Sequence, residues 1–228
     1  SPIIDYIRMV KDEKEKDLMR KSSKLNDIAM EKIIPWVAKG LTEKELNAKM
    51  REIYKEIGCE DVSFDPITAY GHGAADPHHV TDDSKGKRGD CVILDIGGFK
   101  DNYASDMTRT VFAGFVPGKI RGIYNLVLKN QLQTEKDMKD GANIRILARN
   151  DFKLNGYSLV HALGHGVGLD IHEAPIVSYK NDNTFKENMV VTNEPGIYIP
   201  GEFGVRIEDT TLITKSGCIN LTKSDKNY

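Results

Sequence analysis

Residues 161–173 read HALGHGVGLDIHE, with His161, His165 and His172 threaded through three glycines and closed by Glu173. Imidazoles four residues apart invite the zinc-helix motif, in which both ligands share one helical face. Gly164, Gly166 and Gly168 oppose it, because each glycine costs a helix about 1 kcal/mol relative to alanine. Side chains four apart also share a face in a strand, whose period is two. The segment therefore reads as a strand with His161 and His165 on one face, its glycines admitting a close neighbour. Carboxylates extend the chemistry. Asp95 sits inside CVILDIGG and Asp106 opens DMTRTVFAG, with Lys100–Asp101 midway between them. A hairpin turning there sets Asp95 opposite Asp106, where facing Cβ atoms are ~5 Å apart. Glu194 and Glu208 are likewise centred on Gly201, in the turn IPGEFG.

Val92, Ile93, Leu94, Val190 and Val191 mark these strands as buried, and carboxylates packed together in a buried sheet cannot all ionise cheaply. Hard divalent cations supply the missing positive charge. With the His165 imidazole added, the set suits two divalent ions ~3.5–4 Å apart. Taken singly, each residue has a plainer reading: Asp95 as a turn residue, Glu208 as the surface partner of Arg206. The conjunction favours metal. All six histidines also fall in two windows, 72–79 and 161–172.

The elements that must position these groups follow from periodicity and punctuation. Leu18, Leu25, Ile28, Ile33 and Ile34 mark an amphipathic helix from Asp12 to about Val37, ended by Gly40. TEKE at Thr42–Glu45 is a capping box for a second helix reaching about Ile57. Residues 119–139 return to helix, and a shorter helix follows Asn143. The order helices, hairpin, helices, hairpin suggests two similar halves. It predicts one α+β domain over 1–228, an antiparallel sheet covered by helices on one side.

Bulk properties exclude other classes. Lys+Arg 32 against Asp+Glu 34 is nearly balanced, so a nucleic-acid partner has no electrostatic support. No apolar run approaches the roughly 20 residues that span a bilayer, and the N-terminus lacks a signal-peptide pattern. Cys59, Cys91 and Cys218 are widely spaced and suggest reduced thiols in a cytoplasmic protein.

Four blocks, SFDPITAYGHGAADPHH, LDIGGFKDNYASDMTRT, HALGHGVGLDIHEAP and NEPGIYIPGEFGVRIEDT, resemble those of the Xaa-Pro peptidases. These are the prolidase and aminopeptidase P branch of the pita-bread metallopeptidases, and the likeness runs from about Ile7 to the C-terminus. It implies a pseudo-twofold α+β pita-bread fold. It implies that Asp95 chelates one ion, that His165 and Glu194 hold the other, and that Asp106 and Glu208 bridge. It makes Glu194 the general base and acid, His172 the donor to the scissile carbonyl, and His78 a histidine at the substrate mouth. His161 matches the extra histidine of the Xaa-Pro branch and Arg206 the arginine of its R-I-E block, both substrate-binding. His72 and His79 have no counterpart, and a surface or packing role is expected.

The resemblance further implies two divalent ions per chain, manganese first, with cobalt, zinc or iron as alternatives. The expected substrate is a dipeptide or short peptide with proline second. Relatives normally carry an N-terminal domain that contributes to dimerisation; this sequence starts at the catalytic domain, and a homodimer is expected of the full-length protein. The stretch at 141–160 also looks shorter than usual. Methionine aminopeptidase is the same-class alternative, weighed down by His161, Arg206 and GVRIED. A pita-bread binding module is the non-enzymatic one, and such relatives have usually lost ligands.

Overall fold

Two capping boxes set where the long N-terminal helices begin. In the computed structural model, which describes residues 2–150 and 156–227, a short helix α1 (Pro2–Met9) comes first. Asp12 then accepts the Glu15 amide while the Glu15 carboxylate accepts the Asp12 amide, starting α2 (Glu13–Val37). Thr42 and Glu45 repeat the device for α3 (Glu43–Glu56). Ala29, Met30 and Ile33 of α2 and Leu46, Met50 and Ile53 of α3 are fully buried together.

Those faces cover a three-stranded antiparallel sheet. It contains β1 (Ile67–Tyr70) and β2 (Cys91–Ile96). A small hairpin of β3 (Phe99–Lys100) and β4 (Tyr103–Ala104) leads into its third strand, β5 (Met107–Phe112), giving the order β1-β2-β5. The second half repeats this plan. Helices α4 (Gly118–Asp137) and α5 (Ile144–Asn150) precede β6 (Gly164–Gly166), β7 (Glu173–Val177) and β8 (Val190–Asn193). After a hairpin of β9 (Gly196–Ile199) and β10 (Phe203–Arg206) come β11 (Asp209–Ile213) and β12 (Cys218–Asn220). The second sheet runs β12-β11-β8-β6-β7, all antiparallel.

Strand β2 is covered on both sides, not one. Val92, Leu94 and Ile96 pack with α2 and α3, whereas Cys91 and Ile93 pack with Ile197, Val205 and residues of α4. By the two-residue period, Asp95 shares this second face. The halves join along β5: Thr210 donates to the Asp106 carbonyl at 2.8 Å, and the Glu208 amide to the Thr108 carbonyl at 3.0 Å.

One register differs from the sequence reading. The first hairpin turns at Asp101–Asn102, whose φ values of 52° and 65° are those of a two-residue primed turn, and Lys100 pairs with Tyr103. The centre lies one residue later than expected. Asp95 therefore faces Thr108 and is diagonal to Asp106. The Gly201 hairpin keeps its expected centre: Gly196 pairs with Arg206 and Asn193 with Asp209. Glu194 and Glu208 stand opposite one another in the gap between these ladders.

Candidate metal centre

His165 owes its place to neighbouring strands. A Cβ at Gly164 would collide with the Thr192 carbonyl oxygen of β8, and one at Gly166 with the Ala174 carbonyl oxygen of β7. The glycines thus let β6 lie between two close strands, and the close neighbour expected of them is the backbone of β8 and β7. His161 lies outside β6, in a bend before it, so it does not share a strand face with His165. It still reaches the site, with Nδ1 3.8 Å from Glu194 Oε2.

His165 Nε2 is 3.4 Å from Asp106 Oδ2 and 3.5 Å from Glu194 Oε1. One donor atom each from Asp106, His165 and Glu208 lie within 4.8 Å of one another. Because a carbonyl can only accept, His165 Nδ1–H donates to the Gly166 oxygen at 3.0 Å. That leaves the Nε2 lone pair of the neutral ring aimed at the carboxylates, the orientation a metal-binding imidazole takes. Thr192 donates to Glu194 Oε1 at 3.3 Å and accepts the His165 amide at 3.0 Å. Thr108 donates to Glu208 Oε2 at 2.7 Å.

The electrostatics show a deficit of positive charge. Burial pushes the Asp106 carboxyl up to about 7. Glu194 is raised and Glu208 raised well above the ordinary carboxylate range, by burial first and then by neighbouring carboxylates. Burial alone would lower His165, but the Asp106 hydrogen bond and the Glu194 and Asp106 charges outweigh it and hold the imidazole at about 9. Asp95 gives one oxygen to Arg206 at 2.7 Å, while its other oxygen is buried with no hydrogen-bond partner. An orphaned carboxylate oxygen beside carboxyls that resist ionisation fits hard divalent cations.

All nine residues singled out in the sequence line one cavity of about 360 Å³: His78, Asp95, Asp106, His161, His165, His172, Glu194, Arg206 and Glu208. Phe64, Ile67, Pro77, Ile171 and Ile176 supply apolar walls. The exposed His172 ring meets the His165 ring edge-on, centroids 4.2 Å apart. His78 is exposed at the rim. A larger cavity of about 680 Å³ adjoins at His161, Ala162 and Ile176, but among the described residues no carboxylate lines it.

Residues 17–215 match the model of metallopeptidase family M24. The chain belongs to that family. It is 41% identical to a Xaa-Pro dipeptidase of Pyrococcus furiosus, over 98% of this chain and 66% of the relative. It therefore spans just under two thirds of that relative's length. The solved structure of prolidase from Pyrococcus furiosus superposes with a TM-score of 0.95 at 41% identity, covering 98% of this chain and 68% of the other. The X-Pro aminopeptidase from Thermotoga maritima superposes at 0.96 and 35% identity, covering 99% and 66%. The architecture is the pita-bread fold of M24.

Beside the carboxylates this M24 pocket holds a polar relay that the sequence reading left incomplete. His161 Nδ1–H donates to the Ala162 carbonyl at 2.7 Å, so Nε2 accepts from the Tyr198 hydroxyl at 2.9 Å. That hydroxyl accepts from Arg206 Nη1 at 2.8 Å, and Arg206 Nε reaches the Thr108 hydroxyl at 3.1 Å. Burial, reinforced by the Arg206 and His78 charges, pushes His161 down to about 4. Burial likewise pushes Tyr198 up to about 12. Tyr198, Thr108 and Thr192 were not foreseen. A signal existed in Gly196-Ile197-Tyr198, because the Tyr198 hydroxyl lies 2.6 Å from where a Cβ on Gly196 would stand. His79, expected to pack, does so at 2.7 Å from Glu43, whose carboxylate also accepts the Tyr70 and Asp82 amides.

Proposed function

We propose that this chain is the single catalytic domain of a two-metal exopeptidase that cleaves Xaa-Pro bonds at the N-terminus of dipeptides or short peptides. The observation that carries it is the His161–Tyr198–Arg206 relay set directly against a buried carboxylate and imidazole cluster. The names of the relatives, a Xaa-Pro dipeptidase and an X-Pro aminopeptidase, point the same way.

Asp95, Asp106, His165, Glu194 and Glu208 would hold the two ions, with manganese first because the donors are mostly carboxylate. Bound divalent ions lower the pKa of water and polarise a carbonyl. Glu194, largely buried but lining the cavity and restrained by Thr192, takes a proton from the attacking water and delivers it to the departing proline nitrogen. His172, facing the same cavity, donates to the carbonyl oxygen as charge develops there. A prolyl amide nitrogen has no N–H to recognise. Recognition then falls to ring shape, met by Ile67, Ile171 and Ile176, and to the carbonyls, met by His161 and Arg206. His78 guards the mouth.

Free Cys59, Cys91 and Cys218 support a cytoplasmic setting, and no described helix is long and apolar enough to cross a membrane. The family resemblance supports a homodimer for the full-length protein. The test compares kcat/KM on Xaa-Pro peptides with that on Met-Ala peptides, using metal-loaded protein. A preference of at least tenfold for Xaa-Pro is expected. Equal cleavage of both would hand the site to the methionine-aminopeptidase reading.

A further inference from the structure

His172 has a defined role in the proposed reaction but little to hold it. Among the described residues no hydrogen bond orients its ring, which is exposed and touches His165 only edge-on. Its direction must come from the backbone of the 168–173 turn. That turn is pinned at its far end by the residue that follows His172, Glu173, whose side chain is only 6% exposed.

The Glu173 carboxylate receives two cations from the N-terminal segment. Lys11 Nζ stands 2.5 Å from Oε1 and Arg8 Nη2 2.6 Å from Oε2. Arg8 also reaches Asp170, inside the same turn, at 2.7 Å. The carboxylate is seated against Gly168, where a Cβ would come within 2.5 Å of Oε1. The Gly168 amide closes the turn onto the Asp170 carbonyl at 3.1 Å, and its carbonyl accepts the Ala104 amide at 2.8 Å. Lys11 is itself fixed. Its side chain is 1% exposed, its amide donates to the Asn188 carbonyl at 2.9 Å, and Val10 bridges to Met189 just before β8.

Both ends of the clamp are therefore anchored beside proposed ligands: Glu173 opens β7, which pairs with the His165 strand β6, and Met189 leads into β8, which ends one residue before Glu194. The turn between them presents His172 to the cavity. We propose that Lys11 is a positioning residue for His172, acting through the Glu173 carboxylate. This rests on the peptidase reading for the role of His172, but the geometry of the clamp stands apart from it. A buried ammonium on a buried carboxylate is a strong, directional contact, and a displacement of about 1 Å at a catalytic group can cost up to 100-fold in rate.

The test is a double-mutant cycle in the metal-loaded protein, with Lys11→Met, Glu173→Gln and His172→Ala. Lys11→Met should lower kcat about tenfold while KM and metal content hold. In the His172→Ala background it should lower kcat no further. Glu173→Gln, which keeps the side chain's shape, should give the same pattern at a smaller size and serves if Lys11→Met folds poorly. An equal fall in both backgrounds would overturn the proposal, because Lys11 would then act on the fold at large; so would no fall in either. A readout that needs no turnover is the His172 Cε1–H resonance of the zinc-loaded protein. Both clamp variants should move it and leave the His161 resonance in place. An unmoved His172 signal overturns the proposal even in an active enzyme, whereas a protein inactive on every peptide with a moved signal would fail only the peptidase reading.

Discussion

Stripping divalent metal from this protein should make its stability fall as pH rises. Asp106, 4% exposed, is held at about 7 against an ordinary 3.8. The folded state therefore keeps a proton that the unfolded chain releases above pH ~4. Each pH unit between those values costs the fold ~1.4 kcal/mol. His165 is held at about 9 against an ordinary 6.5. Its stabilisation is complete below the lower value and is lost as pH rises through the upper one. The two groups share one contact, 3.4 Å long, so their effects overlap and the total is roughly 5 kcal/mol between about pH 5 and pH 9. For a chain of this size that lowers Tm by roughly 10 °C or more. Metal-loaded protein should show the reverse trend in affinity, since rising pH removes the protons that compete for the ligands. The assay is thermal melting of chelator-treated and metal-loaded protein across that range. A Tm in stripped protein that stays flat or climbs with pH would refute the buried, proton-holding cluster.

Other consequences follow from particular contacts. His161→Ala should keep metal and lose most kcat/KM on Xaa-Pro peptides, read by parallel metal analysis and kinetics. Arg206→Ala should do the same and also weaken the stripped protein by ~3 kcal/mol, because it leaves the partly buried Asp95 carboxylate unpaired; denaturant melts with and without metal would show the loss shrinking when ions are bound. Gly164→Ala should destabilise the fold and lower metal occupancy, since its Cβ meets the Thr192 carbonyl; unchanged Tm and metal content would contradict the close-strand account of β6.

How far the sequence could be read varied with the physics. Local signals were enough for α2 and α3, because apolar periodicity marks the first and the four-residue capping box TEKE opens the second. The Gly201 turn was legible because one positive-φ glycine, at 73°, marks its centre. The first hairpin was harder: Lys100, Asp101 and Asn102 are all polar turn formers, and which two adopt positive φ decides the register. His161 left the strand because its pairing depends on residues far away, and no local pattern announces that. The Gly164 and Gly166 contacts with β8 and β7 were likewise invisible, although the need for a close neighbour was not. Helix α1 and strand β1, eight and four residues long, are too short for periodicity to reveal. Residues 151–155, part of the stretch that looked shorter than usual, lie outside the described residues.

Asp95, Asp106, His165, Glu194 and Glu208 together should form a dinuclear centre. Elemental analysis of purified protein, reconstituted with manganese and dialysed, tests it most directly. The reconstituted protein should hold two divalent ions per chain, falling to one or fewer in Asp106→Asn, where a shared carboxylate loses its charge but keeps its shape. Fewer than one ion per chain in the parent, or an unchanged count in Asp106→Asn, would contradict it.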